Sequence, residues 1–244
     1  MGWPNNYVQG VYNSDNELVG VEDGAGGEIG LASTYTWATK PLASAYIGTA
    51  FISDMPTATG SYWVSNGTRW RPMNNVLALY NNPSVYTKTN VTTGSGSITA
   101  ADIVFTIPLE IGMWNDGDFL ECHNTVNKIG GVADTLNCKI YIGTSPTVLG
   151  TATTVDYGCG TVTVRAPGEF KLLRESSTSV VVVSSSAGFP AYSSVTYAAS
   201  TATVSNMDAN KMYIQFVAYR AAGTAGTESL EWHFTRLHLY ANAS

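Results

Sequence analysis

The best-spaced acidic pair that could do chemistry lies around residue 117. Asp116 and Asp118 flank Gly117 and follow Asn115, so their oxygens could be arranged around a calcium ion. The same four residues are also a common turn sequence before a strand. The distal glutamate of a calcium-binding loop is absent from the sequence. We interpret the pair as a turn and predict no metal site.

The three histidines, His123, His233 and His238, are the natural candidates for acid-base or metal chemistry. The sequence contains no nucleophile elbow of the Gly-x-Ser-x-Gly type that could act with them. His233 and His238 belong to one predicted strand and have opposite parity, so they project to opposite faces unless a bulge changes the phase. We expect surface or interface histidines.

The cysteines and carboxylates do not single out a site either. Cys159 lies between two glycines, but no neighbouring basic residue would lower its pKa. Cys122 and Cys138 fall in predicted strands, where they either act as small core hydrophobes in a reduced compartment or form a disulfide. Glycan hydrolysis requires paired carboxylates in a groove, and no such pair stands out. We predict no catalytic residue, no cofactor and no enzymatic activity.

The composition predicts an all-β fold and excludes several partners. Only 12% of the residues are charged, whereas Gly, Ser, Thr, Ala and Tyr are abundant, which favours strands and turns. A net charge of −6 disfavours a nucleic-acid surface, which requires clustered basic residues. The sequence has neither a signal peptide pattern nor a long apolar run, so we expect a soluble chain without membrane insertion.

Residues 60–72 predict a β-hairpin that carries two tryptophans. Asn66-Gly67 is a strong two-residue turn signal because both residue types tolerate a positive φ. With Asn66 and Gly67 at the centre of the turn, Val64 faces Arg69 and Trp63 faces Trp70. A two-stranded ribbon is marginal alone in water, so we expect both indoles to be buried against their own small β unit or a neighbouring subunit.

The first 31 residues predict an extended arm. Strand-like residues 7–12 and 17–21 surround the turn 13–16, and the acidic, glycine-rich residues 22–28 read as a loop. The segment has too little aliphatic content to fold by itself, so we expect it to become ordered against a partner. The predicted attachment or interface residues are Trp3, Tyr7, Tyr12, Leu18, Trp63 and Trp70.

The remainder of the chain predicts a jelly-roll-like β-sandwich. The expected strands are 101–107, 118–125, 136–143, 150–156, 160–166, 169–175, 178–185, 195–204, 211–220 and 228–240. In the last of these, Leu230 and Trp232 have the opposite parity to Leu237 and Leu239, which indicates either a bulge near residues 235–236 or burial of both faces. We predict an attachment arm (1–31), a small β-hairpin unit (32–80) and the sandwich domain (81–244).

The hairpin at 60–72, preceded by residues 50–54, resembles a module of virion proteins from tailed bacteriophages. Residues 104–108, 117–120 and 234–239 are similar to parts of the jelly-roll head domains of those proteins. The resemblance implies a non-enzymatic virion structural protein, made in the host bacterial cytoplasm. It also implies a homotrimer that attaches through its N-terminal part to the major capsid protein or another virion protein, as a capsid decoration protein or head fibre.

The alternative is a receptor-binding tail fibre or spike knob that recognises a host surface glycan. The tyrosines available for stacking on sugar rings include Tyr192, Tyr197, Tyr213 and Tyr219. Tyrosines that pack between subunits would produce the same sequence pattern, because tyrosine combines an apolar ring with a polar tip.

Overall fold

The computed structural model describes residues 9–12, 18–22, 28–30, 33–55, 60–82, 85–91, 94–130, 135–158, 165–186, 196–220 and 228–242. The contacts divide the chain into two units, Met1–Arg69 and Trp70–Ser244. Within the described residues there are eighteen β-strands and three short 3₁₀ turns, which confirms the predicted all-β class. None of the helices in these ranges is long and apolar enough to cross a membrane.

The first unit begins with a three-stranded antiparallel sheet. Its strands are β1 (Gln9–Tyr12), β2 (Leu18–Glu22) and β3 (Glu28–Gly30), in the order β1-β2-β3. Tyr12 pairs with Leu18, so the two strand-like segments predicted at 7–12 and 17–21 pair with each other over their described residues, 9–12 and 18–21. The third strand was not predicted. Trp3, Tyr7 and the turn at 13–16 lie outside the described residues.

A second sheet of the first unit contains β4 (Ser33–Tyr35), β5 (Ile47–Ile52) and β6 (Ser61–Asn66), with the 3₁₀ turn Ala43–Ala45 before β5. Strand β4 is parallel to β5, and β6 is antiparallel to β5. Alternate side chains point to one buried face, because successive residues of a strand face opposite ways. The core residues of this unit include Trp37, Ala50, Ile52 and Trp63.

The turn after β6 lies one residue later than predicted. The backbone N–H of Asn66 donates to the Arg69 carbonyl at 3.3 Å, so Gly67 and Thr68 are the central residues. Gly67 has a φ of +88°, and a glycine at the first central position is what a type II′ turn requires. The Asn66 side chain caps the turn, since its Oδ1 accepts from the N–H groups of Thr68 and Arg69, each at 3.0 Å.

This turn changes the register of the hairpin. Arg69 lies opposite Asn66 rather than Val64, so the predicted register is wrong. The predicted direct opposition of Trp63 and Trp70 depended on that register and is wrong with it. The physical reason is that Gly67 takes the positive φ of this turn, whereas Asn66 stays in the strand. The Asn66 side chain then accepts hydrogen bonds from the backbone of the turn.

The second unit contains the remaining strands. They are β7 (Trp70–Pro72), β8 (Val76–Asn82), β9 (Tyr86–Lys88), β10 (Ile103–Leu109), β11 (Phe119–Ile129), β12 (Leu136–Gly143), β13 (Thr151–Gly158), β14 (Arg165–Ser176), β15 (Ser179–Ser186), β16 (Thr196–Thr203), β17 (Met212–Arg220) and β18 (Ser229–Tyr240). The 3₁₀ turns Ser95–Ser97 and Ala100–Asp102 precede β10. The predicted strands are confirmed except 160–166, most of which lies outside the described residues.

Two antiparallel sheets form a β-sandwich in this unit. The small sheet has the order β10-β17-β12-β13, and the large sheet has the order β16-β15-β14-β11-β18-β8, with β9 also pairing with β18. Between the sheets, the rings of Phe170 and Phe216 lie 6.1 Å apart, and the Trp232 indole donates to the Cys138 sulfur at 3.3 Å. These contacts join β14 and β18 to β17 and β12 across the core.

Strand β8 belongs to the large sheet through its pairing with β18. Val76 lies opposite Tyr240, and Leu77 and Leu79 are buried. The division between the two units, after Arg69, therefore precedes the boundary that we predicted at residue 80. The limits of each independently folding part stay a prediction.

Candidate functional site

The outer face of the large sheet gathers a set of titratable side chains. Along β11 the buried residues alternate with outward ones: Leu120 and Cys122 lie in the core, whereas Glu121 and His123 point outward. Neighbouring strands β14 and β18 show the same alternation, so their outward residues join this surface.

The cross-strand register defines the rows of this surface. In one row Glu121 lies between Lys171 of β14 and His238 of β18, and in the next row His123 lies between Glu169 and Arg236. We call this surface the histidine face. It consists of Glu121, His123, Glu169, Lys171, Glu231, His233, Arg236, His238 and Tyr240.

A β-bulge in β18 places all three histidines on this face. Thr125 pairs with His233 and His123 pairs with Arg236, so residues 234 and 235 together oppose Asn124. The extra residue changes the phase of the strand, so that Leu230 and Trp232 before it and Leu237 and Leu239 after it are all buried. Of the two alternatives that the sequence left open, the bulge is confirmed, and it turns His233 and His238 to the same side.

Glu121 is the most connected carboxylate of the face. Its Oε1 lies 2.9 Å from the Lys171 ammonium, and its carboxylate accepts a hydrogen bond from the Tyr240 hydroxyl. Burial acts to raise the pKa of Glu121, but the Lys171 and Tyr240 hydrogen bonds outweigh burial and lower it. The hydrogen bond to Glu121 also raises the pKa of Lys171. Glu121 is therefore held as a carboxylate.

Each histidine has a charged neighbour. The Nε2 atom of His123 lies 3.5 Å from Glu121 Oε1, and that of His233 lies 2.9 Å from Glu231 Oε2. Burial lowers the pKa of His238, and the positive charges of His123 and Arg236 lower it further against the opposing effect of Glu121. The face thus combines positive and negative groups in alternation.

Two aromatic rings border the charged rows. Phe119 and Tyr240 are cross-strand partners whose rings stack with centroids 4.5 Å apart, and Lys171 Nζ lies 5.9 Å from the Phe119 ring centroid. Rings beside hydrogen-bonding groups can contact both the apolar and the polar parts of a ligand. The face can therefore bind an extended polar molecule, or a cation at its carboxylates.

One group in the described ranges has the chemistry and convergence of a metal site. The ligand atoms of Glu121, His123 and Glu169 all lie within 4.8 Å of one another. The acidic pair considered from the sequence does not converge in this way. Asp118 is buried and accepts from the N–H groups of Asn115 and Asn242, whereas Asp116 pairs with Arg174 at 2.7 Å.

The other predicted site residues are placed as follows. Trp63 is fully buried in the first unit, and Trp70 is buried. Tyr12 and Leu18 lie opposite each other in β1 and β2. Cys122 and Cys138 are buried and are not joined in a disulfide, which agrees with core hydrophobes. Cys159 lies outside the described residues.

The tyrosines considered for sugar stacking do not form an exposed platform in the described structure. Tyr219 is buried and donates to Asp156, Tyr213 is half-buried, and Tyr192 lies outside the described residues. Tyr197 lies in β16. The sequence left open whether a bulge brings His233 and His238 to one face, and it did not show that β14 and β18 flank β11. The histidine face could therefore not be predicted, although the parity change in β18 was the signal for the bulge that determines the direction of His238.

No protein-family model and no curated protein matches the chain. The similar solved structures include arcelin-5, a lectin-like defence protein from Phaseolus vulgaris, with 11% identity and a TM-score of 0.36 over 69% of this chain and 100% of that chain. The CBM2 module of the evolved Dit of Lactobacillus casei BL23 phage J-1 has 8% identity and a TM-score of 0.29, over 65% and 70%. An alginate lyase from Alteromonas sp. 272 has 9% identity and a TM-score of 0.28, over 64% and 95%. These similarities are too weak to carry an argument about function.

Proposed function

We propose that the chain is a non-enzymatic structural protein of a tailed-phage virion, a capsid decoration protein or head fibre that forms a homotrimer. Its N-terminal unit attaches to the particle, and its β-sandwich projects outward. The observation that supports attachment is an exposed apolar sheet face in the first unit. Ile47 is 81% exposed and Tyr62 is 52% exposed, and both lie opposite the buried face of β5 and β6.

This face has the composition expected of an assembly surface. Thr49 pairs with Val64 and Phe51 pairs with Tyr62, so an apolar and aromatic strip continues across both strands. The Phe51 and Tyr62 rings are 5.2 Å apart. Contiguous exposed apolar surface of this kind marks interaction sites in soluble proteins.

Attachment can be tested with virus particles assembled without the chain. We expect Ile47→Ser to reduce binding of the purified protein to these particles. The matched control is Val148→Ser, which changes an apolar residue of the second unit that is 62% exposed. Equal particle binding by Ile47→Ser and the wild type would contradict the attachment role. The trimer is tested separately by light scattering of the purified protein, and a stable monomer would contradict it.

The histidine face favours a second candidate function, a receptor-binding knob for a host surface glycan. Its hydrogen-bonding groups suit sugar hydroxyls, and Tyr240 offers ring surface beside them.

Labelling the chain on intact virions separates the candidates: labels on the capsid favour decoration, and labels at the tail tip favour adhesion. Release of new reducing ends from host polysaccharide would contradict the non-enzymatic assignment in either case.

A further inference from the structure

We propose that Glu121, His123 and Glu169 form a binding site for a divalent transition-metal ion on the outer face of the large sheet. This site is independent of the virion role. It would also exist in a protein with another function, so its test does not depend on particles.

The backbone register brings the three ligands together. Glu121 and His123 are two residues apart on β11, so both side chains point outward, and Glu169 lies directly opposite His123 on β14. Side chains at directly opposed positions of an antiparallel pair have Cβ atoms about 4.5–5.5 Å apart. The ligand atoms already lie within 4.8 Å of one another, and rotation of the long glutamate side chains can close the remaining distance to a metal.

The donor set indicates the class of ion. One imidazole nitrogen and two carboxylate oxygens suit zinc, manganese, iron or nickel, whereas calcium and magnesium prefer oxygen ligands alone. Three protein ligands leave at least one coordination position open for water or for an oxygen of a bound ligand.

The Lys171 side chain already pairs with one of the three proposed ligands. The Lys171 ammonium lies 2.9 Å from Glu121 Oε1, and its side chain is 45% exposed, so it can move away into solvent. The ion pair shows that the Glu121 carboxylate is charged and accessible to a positively charged group. It also means that Lys171 competes with a metal ion, and that Arg236, in the row of His123, weakens binding by like-charge repulsion.

The test is titration of the purified protein with zinc chloride and, separately, manganese chloride, monitored by calorimetry at neutral pH. We expect one ion to bind per chain. His123→Ala should weaken binding by about tenfold or more, and Glu169→Gln, which preserves side-chain shape, should do the same. Lys171→Met should tighten binding, because it removes the competing charge.

His233→Ala is the matched control. It removes a histidine that also neighbours a glutamate on the same face but lies outside the three ligands, so ion affinity should stay unchanged. The proposal is overturned if neither the wild type nor Lys171→Met binds an ion. It is also overturned if affinity survives in both His123→Ala and Glu169→Gln, or if it is lost in His233→Ala while that variant keeps the wild-type circular dichroism spectrum.

Discussion

At the scale of residues, Trp63 combines burial with a satisfied polar group. Its indole packs against Trp37 with ring centroids 4.8 Å apart, and its Nε1 donates to Ser61 Oγ at 2.8 Å. No part of the side chain is exposed. Any effect of Trp63 on assembly must therefore act through the folding of the first unit.

We expect Trp63→Ala to destabilise the first unit by about 3–5 kcal/mol, because it removes a fully buried aromatic side chain and leaves a cavity. Chemical denaturation monitored by fluorescence measures the change. Tyr62→Ala is the control, since its side chain is on the exposed face, and it should cost less than about 1 kcal/mol. An unchanged unfolding midpoint in Trp63→Ala would show that the tryptophan is not a core residue.

His238 makes stability depend on pH. Burial and the charges of His123 and Arg236 lower its pKa below the ordinary 6.5. The unfolded chain then binds the proton more readily than the folded chain. The contribution of His238 to stability is therefore fully present above pH 6.5 and is lost as the pH falls through the lower folded-state pKa. Glu121, whose pKa is also lowered, adds a further loss below its ordinary 4.5.

We therefore expect the urea midpoint of the wild type to fall when the pH is lowered from about 7.5 to about 5.5. In His238→Gln the fall should be smaller, because the titrating group is gone. If both proteins lost the same stability over this range, His238 would not be the group responsible.

At the scale of elements, part of the architecture follows from local patterns in the sequence. Alternating apolar residues located most of the sandwich strands. The parity change between Trp232 and Leu237 indicated either a bulge or burial of both faces, and β18 contains the bulge. The hairpin register was missed because the choice between Asn66-Gly67 and Gly67-Thr68 depends on where Asn66 can use its side chain. The candidate site was missed because the rows of the histidine face depend on the strand order β14-β11-β18. The alternation of side chains along a strand shows which residues share a face, but it does not show which strands are neighbours.

The turn between β12 and β13 leaves no space for a side chain at Gly150. A Cβ atom there would lie 2.0 Å from the Ile142 carbonyl oxygen and 2.4 Å from Gly143 Cα, which are backbone atoms that cannot rotate away. Gln215 fixes the same loop, because it accepts from Gly150 N at 3.0 Å and donates to the carbonyl groups of Ser145 and Val148.

We expect Gly150→Ala to cost about 3 kcal/mol, at the upper end of the usual range for overpacking. Gly96→Ala is the control because its added Cβ would meet nothing within 4 Å, and it should change stability by less than about 0.5 kcal/mol. Thermal denaturation followed by circular dichroism compares the two. Equal melting temperatures would mean that this turn can open without cost.

At the scale of the whole molecule, the second unit contains the core that its two sheets need. We expect residues 70–244 to fold without residues 1–69, and residues 81–244 to fold poorly. The shorter fragment loses most of β8, including the buried Leu77 and Leu79, and uncovers an edge of β18 that is open to aggregation.

Amide dispersion in NMR spectra of the two fragments tests this expectation. Well-dispersed spectra from both would support the boundary near residue 80 that the sequence suggested. Poor dispersion in both would mean that the sandwich requires the first unit.

The pairing of β18 also sets the order in which the chain can fold during its synthesis. This strand is bonded to β11, β8 and β9, although it comes last of the four along the chain. The early strands β8 and β9 therefore lack their partner until residues 229–240 have left the ribosome, whereas β5 and β6 of the first unit can pair much sooner. Non-local pairing of this kind is slow. The newly made sandwich accordingly passes through a period in which its large sheet is incomplete and the edges of β8 and β9 lack their partner strand.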